Sequence, residues 1–298
     1  MPSARYALTG TIYSLRECEA DCRLAAARSP CYTESMIRTE KPEEAKAFPF
    51  RNAYEALTFQ KLQRLLNVPD ALCLSDGRDV LFVRAGLGFP AWIYTSRDIT
   101  DETMRELAAS LCVLREAKNL TGVIGYGRLV RYLELALPFP SRRRLSLTAY
   151  LCEQPNAFRA EGERVKASDL EPAVCGALLA QLGEQAKEPI PESARLAAGT
   201  HFCETPDAYG WCINGTTVAI AGISDRDGGV AHIGSVVTDE AYRGHGYAKA
   251  LVASVCADEW AKGWRTHLYA DTDYPYSNAL YRAIGFQEIG RLKGIDFV

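Results

Sequence analysis

The feature that most constrains the fold is an apolar run, Val230–Thr238, that passes through a short loop into an amphipathic stretch, Tyr247–Lys262. A buried strand followed at once by a helix is typical of an α/β sheet. The loop holds Arg243 and two glycines, Gly244 and Gly246. A bound anion is favoured here for three reasons. The first helical turn has unpaired N–H groups, the helix dipole is positive at this end, and glycine lets the backbone approach the anion closely. The segment therefore predicts a pyrophosphate site.

Two familiar phosphate-binding motifs are excluded for this loop. A Gly-x-Gly-x-x-Gly fingerprint would need glycine where the chain has Lys249, and no Gly-x4-Gly-Lys-Ser/Thr sequence follows a strand. Gly-x-Gly by itself is a weak signal, and a simple glycine-containing turn is the alternative interpretation.

Composition limits the class of protein. The chain has 298 residues, 48% of them hydrophobic, and a net charge of −3. The charge argues against a general nucleic-acid or membrane-surface binder, which relies on excess Lys and Arg. No apolar run is long enough to span a membrane, and no apolar segment follows the N-terminal residues, so we expect a cytoplasmic protein.

The length and the residue patterns predict two domains, 1–156 and 157–298. In the second, Asn214-Gly215 between two apolar runs predicts a β-hairpin. Each half ends in the order strand, helix, strand, helix, strand, so we interpret the chain as a divergent structural repeat. The expected class is α/β (α+β), with a mixed, mostly antiparallel twisted sheet flanked by helices in each domain.

Ten cysteines are scattered along the chain, and in a cytoplasmic protein they are expected to be reduced and mostly buried. Cys18, Cys22 and Cys31 form the one cluster. An i, i+4 pair shares one helix face and could ligate a metal, but no CxxC and no nearby histidine completes a site. We expect free thiols there and no metal cofactor.

Two sequence motifs resemble those of the GNAT N-acetyltransferase superfamily. The first is Arg243-x-x-Gly246-x-Ala248, after the apolar strand, and the second is the segment Ser277–Phe286, about forty residues later. The resemblance covers roughly residues 158–298. Within the superfamily, Val237–Gly244 and Leu268–Asp271 resemble the branch related to glycine N-acyltransferases, whose members often carry a degenerate GNAT-like N-terminal domain. The N-terminal counterpart of the loop, Tyr94–Thr100, has no glycine.

The resemblance implies two GNAT-like domains, with a cleft between splayed strands in the C-terminal one that binds acetyl-CoA. It places the pantetheine arm on backbone groups of one strand and the pyrophosphate on the following loop, and Asn278 matches a position that often contacts pantetheine. The implied cofactor-binding residues are Val236, Val237, Thr238, Arg243, Gly244, His245, Gly246, Tyr247, Ala248 and Asn278.

The implied chemistry is direct attack of an amine on a thioester. Tyr281 matches the usual general acid, because a phenol near the sulfur can protonate the departing thiolate. The general base is left open among His232, Glu240 and Asp271, each of which has a structural alternative. No covalent intermediate is required, so Cys256 is expected to be a core residue.

The function expected from the sequence is therefore acetyl transfer to the primary amine of a small or amino-acid-like acceptor. A non-catalytic acyl-CoA-binding module and a protein or peptide N-acetyltransferase are the alternatives. We expect no nucleic-acid or membrane partner. The oligomeric state is open, with a homodimer as one candidate.

Overall fold

The computed structural model describes residues 37–186 and 188–298, so Cys18, Cys22 and Cys31 lie outside the described residues. The described chain separates into two compact units. Residues 37–49, 61–143 and 295–298 form the first unit, and residues 50–60 and 144–294 form the second. The boundary predicted at residues 156 and 157 falls inside the second unit, because the strand before it belongs there. The assignment of two domains stays a prediction.

The helices and strands are numbered in chain order. The helices are α1 (Pro42–Ala45), α2 (Ala53–Thr58), α3 (Gln60–Leu65), α4 (Asp101–Lys118), α5 (Gly127–Ala136), α6 (Pro172–Gln185), α7 (Glu192–Cys203), α8 (Tyr247–Ala261) and α9 (Pro275–Ile284). The strands are β1 (Arg38–Glu40), β2 (Leu72–Ser75), β3 (Val80–Arg84), β4 (Ala91–Thr95), β5 (Gly122–Tyr126), β6 (Ser141–Cys152), β7 (Glu163–Lys166), β8 (Ala208–Ile213), β9 (Thr216–Asp227), β10 (Val230–Thr238), β11 (Arg265–Asp271) and β12 (Gln287–Phe297).

The first unit is built on strands β1 to β5, which lie side by side in that order. Neighbours are antiparallel except for β4 and β5, which are parallel. The apolar faces of the strands pack against α4 and α5 around buried side chains such as Phe82, Ile93, Leu107 and Leu129. The predicted order of strand, helix, strand, helix is present here.

The second unit holds the sheet order β12, β6, β11, β10, β9, β8, β7, with β6 included from Arg144 and β12 up to Gly294. Strands β10 and β11 are parallel, while β6–β11, β10–β9, β9–β8 and β8–β7 are antiparallel. The hairpin predicted at Asn214-Gly215 is confirmed, with φ of +48° and +80° at these two residues. The mixed, mostly antiparallel α/β class is confirmed.

Helices cover both faces of the second sheet. The buried residues of α8 and Tyr281 of α9 share one apolar cluster with alternate residues of β10 and β11, such as Ile233 and Leu268. On the opposite face, α6 and α7 pack with Ile220 and Val237. Within residues 37–186 and 188–298, no helix combines the length and the apolar character that spanning a membrane would need.

Helix α8 spans 15 residues and matches the predicted stretch, with Gly263 just beyond its end at φ +87°. Its C-terminal turn is tied to the sheet by a buried carboxylate. Glu259 accepts hydrogen bonds at 2.7 and 2.8 Å from Arg226 of β9, and Lys262 contacts it at 2.7 Å. Arg226 also binds Asp207 at 2.8 Å. This network fixes the helix whose opposite end carries the predicted anion site.

Burial opposes the ionisation of Glu259, but the hydrogen bonds from Arg226 and Lys262 outweigh it and hold the carboxyl pKa below its ordinary value. The hydrogen bond from Arg226 likewise lowers the pKa of Asp207. When the pKa of a carboxyl group is lower in the folded state than in the unfolded state, the group stabilises the fold at pH values above its unfolded-state pKa. This stabilisation is lost as the pH falls through the folded-state pKa.

We predict that Arg226→Met lowers the free energy of unfolding at neutral pH by about 3–5 kcal/mol, because Glu259 would remain buried without its bidentate partner. Arg291→Met is the matched control. It removes a bidentate pair with Glu288 in which the arginine side chain is 61% exposed, and it should cost no more than about 1 kcal/mol. Urea denaturation measures both losses. The difference in the free energy of unfolding between wild type and Arg226→Met should become smaller below about pH 4. Equal losses of stability in Arg226→Met and Arg291→Met at neutral pH would contradict this prediction.

Candidate functional site

The candidate site begins where β10 and β11 part. The two parallel strands pair at only three positions, ending with His232 opposite His267. From Ile233 to Thr238, β10 continues along β9 but has no paired residue on β11 in the described structure. Six residues of extended chain span up to about 20 Å, so the fork is long enough to admit an extended ligand arm.

A β-bulge accompanies this parting. Between Gly234 and Val237 the register with β9 shifts by one residue, and the extra residue lies on β10. Ser235 within the bulge has φ +54°, in the left-handed region that few non-glycine residues adopt. A bulge bends its strand and increases the local twist, which turns β10 away from β11. The expected splay of the C-terminal sheet is therefore present.

The loop after β10 leads into an open helix N-terminus. Gly246 is the N-cap residue of α8, and no side chain caps the helix among the described residues. Gly244 and Gly246 have φ of +87° and +84°, and a Cβ built on either would meet no described atom within 4 Å. The first backbone bond of the helix joins Ala250 N–H to the Gly246 carbonyl, so the preceding N–H groups face outward. This geometry fits a bound pyrophosphate.

Arg243 folds back over the end of β10. Its Nε donates to the carbonyl of Thr238 at 3.3 Å, and its Nη2 lies 3.2 Å from Glu240 Oε1. Nη2 is buried, yet it makes no hydrogen bond of good geometry with any residue the structure describes. A buried guanidinium donor beside an open helix N-terminus suits a phosphate oxygen.

Gln181 of α6 holds the start of the loop, and sequence reasoning missed it. Its Nε2 donates to Asp239 Oδ2 at 3.1 Å, and its Oε1 accepts from the backbone N–H of Glu240 at 3.3 Å. Asp239 in turn accepts from the N–H of Ala241 at 2.9 Å. An isolated Gln within a helix carries no sequence signal for such a contact.

His245 lies exposed at the middle of the loop. Its Nδ1 donates to the carbonyl of Arg243 at 3.0 Å, and its ring stacks on Tyr247 with centroids 5.5 Å apart. Because a carbonyl can only accept, Nδ1 carries the hydrogen in this contact. Tyr247 is buried as the first residue of α8, and Ala248 follows it in the same first turn.

The three strand residues of the predicted pantetheine site lie along the fork. Val237 is buried against α6 and α7, while Val236 packs on the cluster beneath α8. Thr238 ends the strand, and its carbonyl accepts from Arg243. The structure brings these residues, the loop and the first turn of α8 into one continuous stretch.

Asn278 lies near the start of α9, and its contact with pantetheine stays a prediction. It is buried, and its two amide hydrogens donate at 2.7 Å to the carbonyls of Asp271 and Tyr274. Its Oδ1 accepts from the hydroxyl of Tyr150 on β6 at 2.9 Å. Asn278 thus anchors the start of α9 to the end of β11, and Tyr150 is a site-forming residue that the sequence did not reveal.

Tyr281 is buried beneath α8 in the same apolar cluster as Ile233 and Leu268. Its ring centroid lies 6.1 Å from that of Tyr150 and 5.7 Å from that of Phe286. Burial, with smaller contributions from Cys256 and Tyr150, raises its pKa well above the ordinary tyrosine value. A phenol in this setting stays protonated at neutral pH and so retains a proton to donate.

The three candidate bases lie in different places. His232 sits at the closed end of the fork, with its Nδ1 3.0 Å from Nδ1 of His267. Glu240 is exposed on the loop beside Arg243. Asp271 is exposed at the end of β11 and accepts from the N–H of Asp273 at 2.9 Å. The structure therefore does not gather all three around one point.

The described cysteines are free thiols. Cys256 is buried on α8 and accepts a hydrogen bond from Thr266, which agrees with its expected role in the core. Burial raises the pKa of Cys175 to about 12 and also raises that of Cys256. In the part of the chain that the structure describes, no three His, Cys, Asp or Glu side chains group closely enough to hold a metal ion.

Comparison with known proteins agrees with this geometry. Residues 178–286, which include the fork, the loop and Tyr281, match the acetyltransferase (GNAT) family. The match lies within the second unit and covers less than half of the chain. No curated protein matches the chain in sequence.

Several solved GNAT structures share the fold at low sequence identity. A GCN5-related N-acetyltransferase from Sphaerobacter thermophilus has a TM-score of 0.61 and 16% identity, with 87% of this chain and 94% of that chain covered. A GNAT-family acetyltransferase from Colwellia psychrerythraea has a TM-score of 0.55 and 13% identity over 88% of this chain and 98% of its own. A tandem GNAT protein from the clavulanic acid biosynthesis pathway has a TM-score of 0.51 and 13% identity, with 87% of this chain and 98% of that chain covered.

We predict that Gly246→Asp weakens CoA binding by about 10-fold or more, because a carboxylate at the N-cap would occupy the first-turn N–H groups and repel a phosphate. Gly215→Asp is the matched control. It changes a glycine of φ +80° that also faces open space, but in the β8–β9 hairpin turn. Titration calorimetry with CoA should show unchanged affinity for the control. Equal affinities for wild type and Gly246→Asp would mean that the loop does not bind the pyrophosphate.

Proposed function

We propose that the chain is an acetyl-CoA-dependent N-acyltransferase that acetylates a primary amine of a small or amino-acid-like acceptor. The observation that carries the proposal is the uncapped N-terminus of α8 at the open end of the β10–β11 fork. An anion site and a slot for an extended arm then follow one another along the same strand. The amino-acid-like acceptor rests on the resemblance of Val237–Gly244 and Leu268–Asp271 to glycine N-acyltransferase-like proteins.

In this proposal, the two catalytic groups work from opposite faces of the sheet. Tyr281 lies on the α8 face, together with Ile233 and Leu268. His232 and His267 alternate with these residues along β10 and β11, so their side chains project from the other face. We place the thioester at the stretch of β10 beyond His232 that has no pairing with β11 among the described residues. A thioester in the fork would have the acid on one side and the base on the other.

His232 is the most suitable of the three candidate bases. Glu240 lies beside Arg243 at the phosphate end, and Asp271 lies at the exposed end of β11, whereas His232 lies where the fork closes. His232 would take one proton from the acceptor's ammonium group, and the free amine would attack the thioester carbonyl. The C–N bond forms and the C–S bond breaks. Tyr281 protonates the departing thiolate. The nitrogen loses a second proton as the amide forms, and that proton replaces the one that Tyr281 gave up.

The first unit is not expected to provide a second acetyl-CoA site of this kind. Thr100 is the N-cap residue of its helix α4, and the Thr100 hydroxyl accepts from Thr103 N–H at 3.1 Å. Asp101 and Glu102 follow in the first turn. A capped helix N-terminus with two carboxylates repels a phosphate, which supports the interpretation of this unit as degenerate.

The decisive experiment measures thiol release from acetyl-CoA against a panel of amines, amino acids and peptides, with CoA binding followed by calorimetry. We expect turnover with a primary amine or amino acid. Turnover confined to peptides would replace the proposal with peptide acetylation. CoA binding without turnover on the panel would favour a binding module, and absence of CoA binding would overturn the site itself.

We predict that Tyr281→Phe lowers kcat by about 10²–10⁴-fold while CoA affinity stays within about twofold, because only the donated proton is lost. Tyr276→Phe is the control on the same helix, with a side chain that is largely exposed. Its kcat should equal that of the wild type. A wild-type kcat for Tyr281→Phe would remove the tyrosine from the mechanism.

A further inference from the structure

We propose that Cys175 and Cys203 are a site of reversible oxidation, at which a peroxide converts the two thiols into a disulfide that joins α6 to α7. Both cysteines are free thiols in this structure, so the disulfide is a second state of the protein that oxidation produces. The proposed acetyl transfer uses neither cysteine, and the oxidation site does not depend on it.

The sulfur atoms of the two cysteines are in van der Waals contact. Sγ of Cys203 lies 3.7 Å from Sγ of Cys175. A disulfide bond is about 2.0 Å long, so the two sulfurs have to approach each other by less than about 2 Å. Cys203 is the last residue of α7, where a helix frays most readily. The approach therefore does not require a movement of the whole helix.

The backbones of α6 and α7 lie close enough for a disulfide. A Cβ built on Gly176 of α6 or on Gly199 of α7 would overlap a backbone carbonyl of the facing helix, so the two helices touch at these glycines. Cys175 is the neighbour of Gly176, and Cys203 lies one turn after Gly199 on the same face of α7. A disulfide requires Cα atoms within about 7 Å of each other, and a close helix crossing favours that separation.

The two thiols differ in their access to solvent, and this difference decides which one reacts first. Cys203 is partly exposed and lines an open pocket of about 530 Å³, whereas Cys175 is fully buried. Burial raises the pKa of Cys175 to about 12, so this cysteine stays a thiol at neutral pH. Peroxides react with the thiolate form of an accessible cysteine. Cys203 is therefore the thiol that a peroxide from solvent oxidises.

The reaction proceeds in two steps. The Cys203 thiolate attacks one oxygen of hydrogen peroxide, so an S–O bond forms, the O–O bond breaks, and the departing hydroxide takes up the proton that the thiol released. The sulfur of Cys175 then attacks the sulfur of the Cys203 sulfenic acid, so the S–S bond forms and the S–O bond breaks. The proton of Cys175 leaves with that hydroxide as a second water. Two thiols are oxidised, and one peroxide is reduced to two waters.

The position of Cys175 makes the oxidation of Cys203 reversible. A sulfenic acid that meets no thiol is oxidised further to sulfinic and sulfonic acids, and these products are not restored by thiols. A disulfide, in contrast, is restored by thiol exchange. Because Cys175 already contacts Cys203, the sulfenic acid meets a thiol as soon as it forms.

The test is a peptide map of the full chain. The reduced wild type is treated with hydrogen peroxide, its remaining thiols are alkylated after denaturation, and it is digested without reductant by proteases that cut after Lys, Arg and Glu. Glu204 lies between Cys203 and Cys212, so the digestion separates these two cysteines. We expect the peptides of Cys175 and Cys203 to be joined, with a mass about 2 Da below the sum of the reduced peptides. Dithiothreitol should separate them.

Three variants assign the roles of the two sulfurs. Cys175→Ser should lose the crosslink and leave Cys203 as a sulfenic acid that dimedone traps and that further peroxide converts to sulfinic acid. Cys203→Ser should leave Cys175 reduced, because the buried thiol does not meet the peroxide. Cys212→Ser is the matched control. It changes another buried cysteine of the same apolar cluster and should leave the yield of the crosslink unchanged.

Three results for the wild type would overturn the proposal. They are sulfinic acid on Cys203 without the crosslink, a disulfide between either cysteine and any other cysteine of the chain, and recovery of both cysteines as alkylated thiols. The wild-type map alone decides among these outcomes, so a variant that fails to fold does not affect the test.

Discussion

The parting of β10 from β11 is the constraint on which the rest of the site depends. Parallel strands normally satisfy each other's backbone groups along their whole length. Here the pairing stops after His232, and the bulge at Ser235 places the extra residue on β10. Ser235 adopts φ +54°, a conformation that costs an L-residue about 1 kcal/mol or more relative to the right-handed region. Backbone strain of this kind persists where the surrounding structure imposes it, and such positions concentrate at ligand sites. The strained conformation of Ser235 thus accompanies the parting of β10 from β11, which leaves backbone groups of β10 available to a ligand.

Helix α8 is held differently at its two ends, and the difference is what makes its N-terminus useful. At the C-terminal end, the carboxylate of Glu259 is buried and bridges Arg226 and Lys262, so the helix is fixed to the sheet. At the N-terminal end, no described side chain caps the helix, and the buried Nη2 of Arg243 lacks a well-formed hydrogen bond. The ion pairs that stabilise α8 thus lie at its C-terminal end, away from the proposed anion site. The polar groups left unsatisfied at this end of the helix are the ones that an anion would satisfy.

The sequence predicted the parts of this arrangement that arise from local physics. The Asn214-Gly215 turn follows from turn chemistry and helix α8 from hydrophobic periodicity, and both are confirmed. Helix α7 was missed because Lys187–Ser193 contains two prolines and the stretch after it has a weak apolar pattern. The register shift at Ser235 was missed because no residue in that position signals a bulge. The membership of residues 50–60 in the second unit also has no local signature, since it depends on contacts such as Tyr269 with Thr58, more than two hundred positions apart.

The side-chain pairs of the candidate site show the same limit of sequence reasoning. Asn278 and His232 were found through motifs and strand position, but their partners Tyr150 and His267 come from neighbouring strands and are set by register alone. Register also decides the chemistry. A shift of β11 by one residue would turn His267 to the α8 face and place Leu268 opposite His232. The alternation that buries Leu268 and Ala270 under α8 therefore also holds His267 beside His232. The apolar core on one face of the sheet thus fixes the polar pair on the other, so the second face needs no separate interaction to select its register.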